Sequence, residues 1–149
     1  MDSTQHAPRN VLYVEDDAED FALLKLVSQK CGTPFSLQHV EDGEQAVAYL
    51  SGAGEYADRE EHPFPDLVLL DLKLPRLDGF EVLQWIRTNP ATLSVPVVVL
   101  AGSSFRADIR RALELGANSY AAKPAKFEEL QVLIDQISDV WLARENTLR

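Results

Sequence analysis

The chain has 149 residues, 46% of them hydrophobic, which suits one domain with a sizeable core and leaves no room for a second. Its formal net charge of -10 argues against nucleic acid, because counterion release needs clustered lysine and arginine, and it disfavours an anionic membrane surface too. One cysteine, Cys31, cannot make an internal disulfide, the start of the chain lacks the apolar core of a signal peptide, and no apolar run approaches transmembrane length, so the chain reads as soluble and cytoplasmic.

Residues 1–9 are polar and read as a flexible N-terminal segment ahead of a domain over 10–149. Val11-Leu12-Tyr13-Val14 has the length and β-branching of a buried strand. The acidic stretch Glu15-Asp16-Asp17-Ala18-Glu19-Asp20 follows. Asp17 is suited to cap a helix whose apolar positions Phe21, Leu24, Val27 and Leu23, Leu26 repeat at helical spacing until Cys31-Gly32 and Pro34 end it. Phe35 to Val40 reads as a second strand, and Asp42-Gly43 turns into a short helix carrying Ala46, Val47 and Leu50. Residues 51–65, with Gly52, Gly54, Pro63 and Pro65, form a connection longer than such elements usually need, and read as a surface insertion.

Asp66-Leu67-Val68-Leu69-Leu70-Asp71 is an apolar run closed by a carboxylate, followed by Leu72-Lys73-Leu74-Pro75, and predicts a strand buried on both faces of a parallel sheet. A turn through Asp78-Gly79 leads to a helix from Phe80 to Ile86 that Asn89-Pro90 ends. Val95 to Ala101 is a fourth strand, then Gly102-Ser103-Ser104 and a helix from Arg106 to Leu115 that Gly116 ends. Ser119-Tyr120-Ala121-Ala122 is a fifth strand, Lys123-Pro124 turns the chain, and a last helix runs from Phe127 to about Arg144.

With right-handed crossovers, this alternation predicts an α/β fold: a flavodoxin-like doubly wound (βα)5 parallel sheet in the order 2-1-3-4-5. Ligands gather at the carboxyl ends of such strands, so Glu15, Asp16 and Asp71 would share one crevice with the residues after strands four and five. Three carboxylates together must be protonated, hydrated or neutralised, and a hard divalent ion, magnesium rather than calcium, suits the purpose. Taken singly, each residue has a plainer reading. Asp71 could merely cap its turn, Lys123 could be a surface lysine, and Asp17, Glu19 and Asp20 read as a solvated helix start. Together, an acid pair, a single aspartate and a lysine at successive strand ends fit phosphoryl transfer, with Asp71 as nucleophile.

Val11-Leu12-Tyr13-Val14-Glu15-Asp16-Asp17, Leu69-Leu70-Asp71-Leu72-Lys73-Leu74-Pro75 with Asp78-Gly79, and Tyr120-Ala121-Ala122-Lys123-Pro124 resemble the receiver domain of two-component response regulators over roughly residues 10–144. The resemblance implies transfer of a phosphoryl group from a partner kinase's phosphohistidine to Asp71. It further implies Mg²⁺ bound by Asp16, Asp71 and the backbone carbonyl of Lys73, with Glu15 acting through a metal-bound water and Lys123 contacting a phosphoryl oxygen. One position departs from the pattern: Ala101 stands where receivers carry threonine or serine. The missing hydroxyl would have donated to the phosphoryl group and drawn in the switch aromatic, Tyr120. A hydrogen bond to a charged group is worth about 1.5–3 kcal/mol, so the loss weakens transfer or signalling by roughly 10- to 150-fold. The Gly102 N–H remains as a donor, and Ser103 is a partial substitute.

No second domain is expected after the last helix, which makes this a single-domain regulator read from its own surface. The insertion, with Gly54, Tyr56 and Pro63-Phe64-Pro65, resembles the small response regulators paired with bacterial phytochrome histidine kinases. In the last helix Phe127, Leu130, Leu133, Ile134, Ile137, Val140 and Trp141 cover an apolar arc of roughly 140°, while Val132 and Leu142 fall outside it. The resembling subgroup implies a homodimer through the last strand and helix; the alternative is a monomer with two exposed aliphatics. Trp85 and Trp141 read as core. Two other functions compete: a pseudo-receiver that binds its partner without phosphorylation, and an aspartyl phosphatase. Such phosphatases carry a second aspartate two residues on, where this chain has Lys73, so the chain reads as a signalling module rather than an enzyme.

Overall fold

Strands that are apolar at consecutive positions, such as Leu67-Val68-Leu69-Leu70, have to be covered on both faces. The computed structural model, which describes residues 9–102 and 105–143, does this with one parallel sheet between two helical layers. The strands β1 (Arg9–Val14), β2 (Phe35–Val40), β3 (Leu67–Leu70), β4 (Val97–Ala101) and β5 (Ser119–Ala122) lie in the order β2-β1-β3-β4-β5. Of the segment expected to be flexible over 1–9, Arg9 instead begins β1, where its guanidinium pairs with Asp66 at 3.5 Å; residues 1–8, Ser103 and the expected helix end at Arg144 lie outside the described residues.

Side-chain alternation divides the core. Leu12, Val14, Val68, Leu70, Val97 and Val99 pack with α2 (Gly43–Ser51), α3 (Gly79–Thr88) and Ala112 of α4 (Arg106–Glu114). Val11, Tyr13, Leu67, Leu69, Val98 and Leu100 pack with α1 (Ala18–Gln29) and α5 (Phe127–Trp141) on the opposite face. Register then places the strand ends. Val14 is level with Leu70, so Glu15 and Asp71 leave neighbouring strands side by side, and Ala101 is level with Ala122, which brings Lys123 alongside.

Acidic caps start the helices around that edge. The Asp17 carboxylate accepts from the Glu19 and Asp20 N–H groups, and Asp78 forms a reciprocal capping box with Glu81. Gly79 is needed where α3 begins, because a Cβ there would overlap the Asp71 carbonyl oxygen. The connection over 51–65 is pinned to α2. Tyr49 Oη donates to the Pro63 carbonyl at 2.9 Å, and the Arg59 guanidinium donates to the carbonyls of Tyr49, Leu50 and His62.

The last helix differs from expectation. It ends at Trp141, and Leu142, which an ideal wheel puts outside the apolar arc, is buried. Leu142 is the C-cap, with φ -118°, so it no longer follows the 100° helical advance and joins the α1/α5 core. Val140, placed in the arc by the same wheel, is 70% exposed. Trp85 and Trp141 are half-buried at the rims of the two cores rather than within them.

Candidate functional site

Glu15 and Asp16 at the end of β1 and Asp71 at the end of β3 each bring a carboxylate oxygen within 4.8 Å of the other two. Glu15 and Asp71 are buried, whereas Asp16 is exposed. Asp16, Asp71, Lys73, Phe80, Ala101 and Gly102 line a cavity of about 500 Å³ above them. Asp16, Asp71 and Lys73 thus stand at the cavity wall, while Glu15 does not line it and reaches the cluster only through its buried carboxylate.

Asp71 Oδ1 accepts from the Leu72 N–H at 2.7 Å, and Oδ2 lies 3.8 Å from Lys123 Nζ. Burial and the charge of Glu15 push its carboxyl up to about 6, against the opposing pull of Lys123 and the Lys73 N–H. Such a set of hard oxygen donors, with its charge only partly offset by one lysine, fits a divalent cation.

Lys123 follows β5, and its backbone N–H donates to the Ala101 carbonyl at 2.7 Å. Its ammonium donates to Glu15 Oε1 at 2.6 Å and to Asp20 Oδ2 at 2.8 Å. Burial alone would lower this group, but the hydrogen bonds it donates to Asp20 and Glu15 and the charge of Asp71 outweigh that and raise it, so Lys123 stays charged. The contact corrects one expectation: Asp20 does not belong with the solvated acids Asp17 and Glu19, which are exposed. Nothing local marks this acid, because the contact joins residues 103 apart in the chain.

Glu15 is held from several directions. Tyr13 Oη donates to Oε1 at 3.0 Å, and the Asp17 N–H donates to Oε2 at 3.1 Å. The Glu15 carbonyl accepts from His39 Nε2 at 2.7 Å, which places a proton on that nitrogen, and the imidazole stacks on Phe21 with centroids 3.8 Å apart. Burial and the adjacent Glu15 raise the Tyr13 phenol well above its ordinary range, so it remains a donor. Neither Tyr13 nor His39 is identifiable from strand pattern alone, because both occupy ordinary strand positions.

Ala101 is buried at the cavity wall, where its methyl offers no donor, and Gly102 lies exposed beside it. Tyr120 on β5 is half-buried against the α2–α4 side of the core. Two lining residues were not anticipated: Asp108 of α4, and Phe80 of α3, whose ring lies 4.2 Å under the Arg111 guanidinium. Opposite, the β3–α3 turn carries Arg76 at φ +72°, with its guanidinium 3.4 Å from Asp42 and 3.9 Å from Glu44. Among the described residues, no helix is long and apolar enough to cross a membrane.

Residues 11–135 match the family model of the response regulator receiver domain. Response regulator Rcp1 of Synechocystis sp. is 37% identical over 142 residues, spanning 95% of each protein. A crystal structure of the Mn²⁺-bound form of Rcp1 superposes with a TM-score of 0.81 at 36% identity, covering 95% of this chain and all of that one (100%). The phosphorylated cyanobacterial phytochrome response regulator RcpA gives a TM-score of 0.85 at 36% identity, over 94% of this chain and 98% of RcpA. RPA3017, a response regulator in red light signalling of R. palustris, gives 0.86 at 32% identity, over 96% and 99% of the two chains.

Proposed function

Because this chain belongs to the response regulator receiver family, we propose that it accepts a phosphoryl group on Asp71 from a partner histidine kinase. The observation that carries this is the convergence of buried Asp71 with Glu15, Asp16 and Lys123 in one crevice. An Asp71 carboxylate oxygen forms the new O–P bond while the N–P bond of the kinase phosphohistidine breaks and the imidazole nitrogen keeps the electron pair. Asp16, Asp71 and the Lys73 carbonyl would hold a divalent cation, Mg²⁺ or Mn²⁺, with Glu15 acting through water; when bound, it offsets the charge of the incoming group. Lys123 and the Gly102 N–H contact phosphoryl oxygens.

Ala101 makes this a receiver with one donor fewer than usual, which weakens transfer or the coupling to Tyr120 by roughly tenfold or more. The same alanine supports a second reading, a pseudo-receiver whose partner affinity does not depend on phosphorylation. An affinity unchanged by Asp71→Asn would favour that second reading.

The partner is a phytochrome-type kinase: the likeness to RcpA and RPA3017, named for phytochrome and red light, and the insertion over 51–65 support this. We place the protein in the cytoplasm, with its receiver domain beginning at Arg9, where β1 starts. It pairs with a second copy through β5 and α5, where Val132 and Val140 stand exposed. Its acidity speaks against nucleic acid and anionic membranes.

Phosphotransfer tests the reading. A phytochrome-type kinase labelled on its histidine is expected to pass the label to this chain with Mg²⁺ present and not to Asp71→Asn. Label that still reaches Asp71→Asn, or never leaves a kinase that labels its own receiver, contradicts it.

A further inference from the structure

Lys123 Nζ is within hydrogen-bond distance of Glu15 and Asp20, at 2.6 and 2.8 Å, but stands 3.8 Å from Asp71 Oδ2. The residue that would meet a phosphoryl group on Asp71 is thus held by two other carboxylates. With two of its three donors engaged there, the ammonium is drawn toward Glu15 and Asp20, and an anion on Asp71 has to compete with them for it.

The two holds differ in what their loss leaves behind. Glu15 is 1% exposed, so in the cation-free chain a Glu15 carboxylate without Lys123 would keep only the Tyr13 hydroxyl and the Asp17 N–H, with almost no access to bulk water. The Asp20 side chain is 38% exposed, and water can replace the ammonium there at little cost. Asp20 is the contact that gives way.

We propose that Asp20 is a positioning residue that holds Lys123 in the resting receiver, so that its grip opposes capture of a phosphoryl group at Asp71. Its place on the first turn of α1 makes this possible. Asp17 caps that turn by accepting from the Asp20 N–H at 3.0 Å, which fixes the Asp20 backbone while its carboxylate reaches across to β5. Asp20 touches neither Asp71 nor the atoms that react; it acts through Lys123. The inference rests on the proposal that Asp71 accepts the phosphoryl group.

The test uses the phosphoryl analogue beryllofluoride with saturating Mg²⁺, its affinity measured by calorimetry on the whole chain. Asp20→Asn keeps the size of the side chain and removes its charge. It is expected to bind beryllofluoride about two- to fivefold more tightly than the unaltered chain, the range that an ion pair of this exposure can supply. Asp20→Glu is expected to restore the original affinity. In a Lys123→Ala background, Asp20→Asn is expected to change nothing, because the effect runs through the ammonium.

Unchanged or weaker binding by Asp20→Asn overturns the proposal, as does an equal gain in the Lys123→Ala background. These results would leave Asp71 standing as the acceptor. If the unaltered chain neither binds beryllofluoride nor gains phosphate from a donor, the reading of Asp71 fails and the role of Asp20 falls with it.

Discussion

Tyr13 Oη donates to Glu15 Oε1 across 3.0 Å, and both residues are about 1% exposed. A buried carboxylate that loses a donor bears a desolvation cost of about 1–3 kcal/mol. Tyr13→Phe is therefore expected to lower the unfolding free energy by that amount, read as a lower urea midpoint at unchanged slope. A midpoint equal to that of the unaltered chain would show that Lys123 and the Asp17 N–H suffice for Glu15.

The raised Asp71 carboxyl makes stability depend on pH. Its value of about 6 in the folded chain exceeds the ordinary 3.8, so between these limits the folded state binds more protons than the unfolded one. Stability conferred below this window is lost as pH rises through it, up to about 3 kcal/mol at about 1.36 kcal/mol per pH unit. Asp71→Asn removes the effect. In chelator, the variant is expected to be more stable than the unaltered chain by about 1–3 kcal/mol near pH 7.5, and nearly equal to it near pH 4. The same difference at both pH values would contradict the assignment.

Arg59 is expected to govern the insertion. Three carbonyls, of Tyr49, Leu50 and His62, depend on its guanidinium, and two of them end α2. Arg59→Ala is expected to cost about 1.5–3 kcal/mol and to raise amide exchange over 54–62, leaving phosphorylation of Asp71 nearly unchanged. Exchange over 54–62 equal to that of the unaltered chain would mean that the Tyr49 hydroxyl alone holds the segment.

Much of this was legible from local chemistry. The run from Asp66 to Asp71 predicts a doubly buried strand because its apolar residues are consecutive, and the Asp17 cap marks the start of α1 because the cap is a local hydrogen bond. Strand order follows from βα alternation, and with it the meeting of Glu15, Asp16, Asp71 and Lys123. Contacts set by tertiary geometry were not legible. Asp20 looks like any acid in a first helical turn until β5 brings Lys123 to it. Leu142 and Val140 exchange places because a helical wheel assumes the helix continues, and this one ends at Trp141. The hydroxyl of Tyr13 is invisible in a strand pattern, which counts the ring as core and says nothing of where its oxygen points.

The most direct measurement is the intact mass of the chain after incubation with a small-molecule phosphodonor and Mg²⁺, alongside Asp71→Asn and Ala101→Thr. A receiver weakened at one position gains a phosphate-sized increment, loses it in Asp71→Asn, and gains it about tenfold or more faster in Ala101→Thr. If neither the chain nor Ala101→Thr gains mass under conditions that label a control receiver, Asp71 is not a phosphoacceptor.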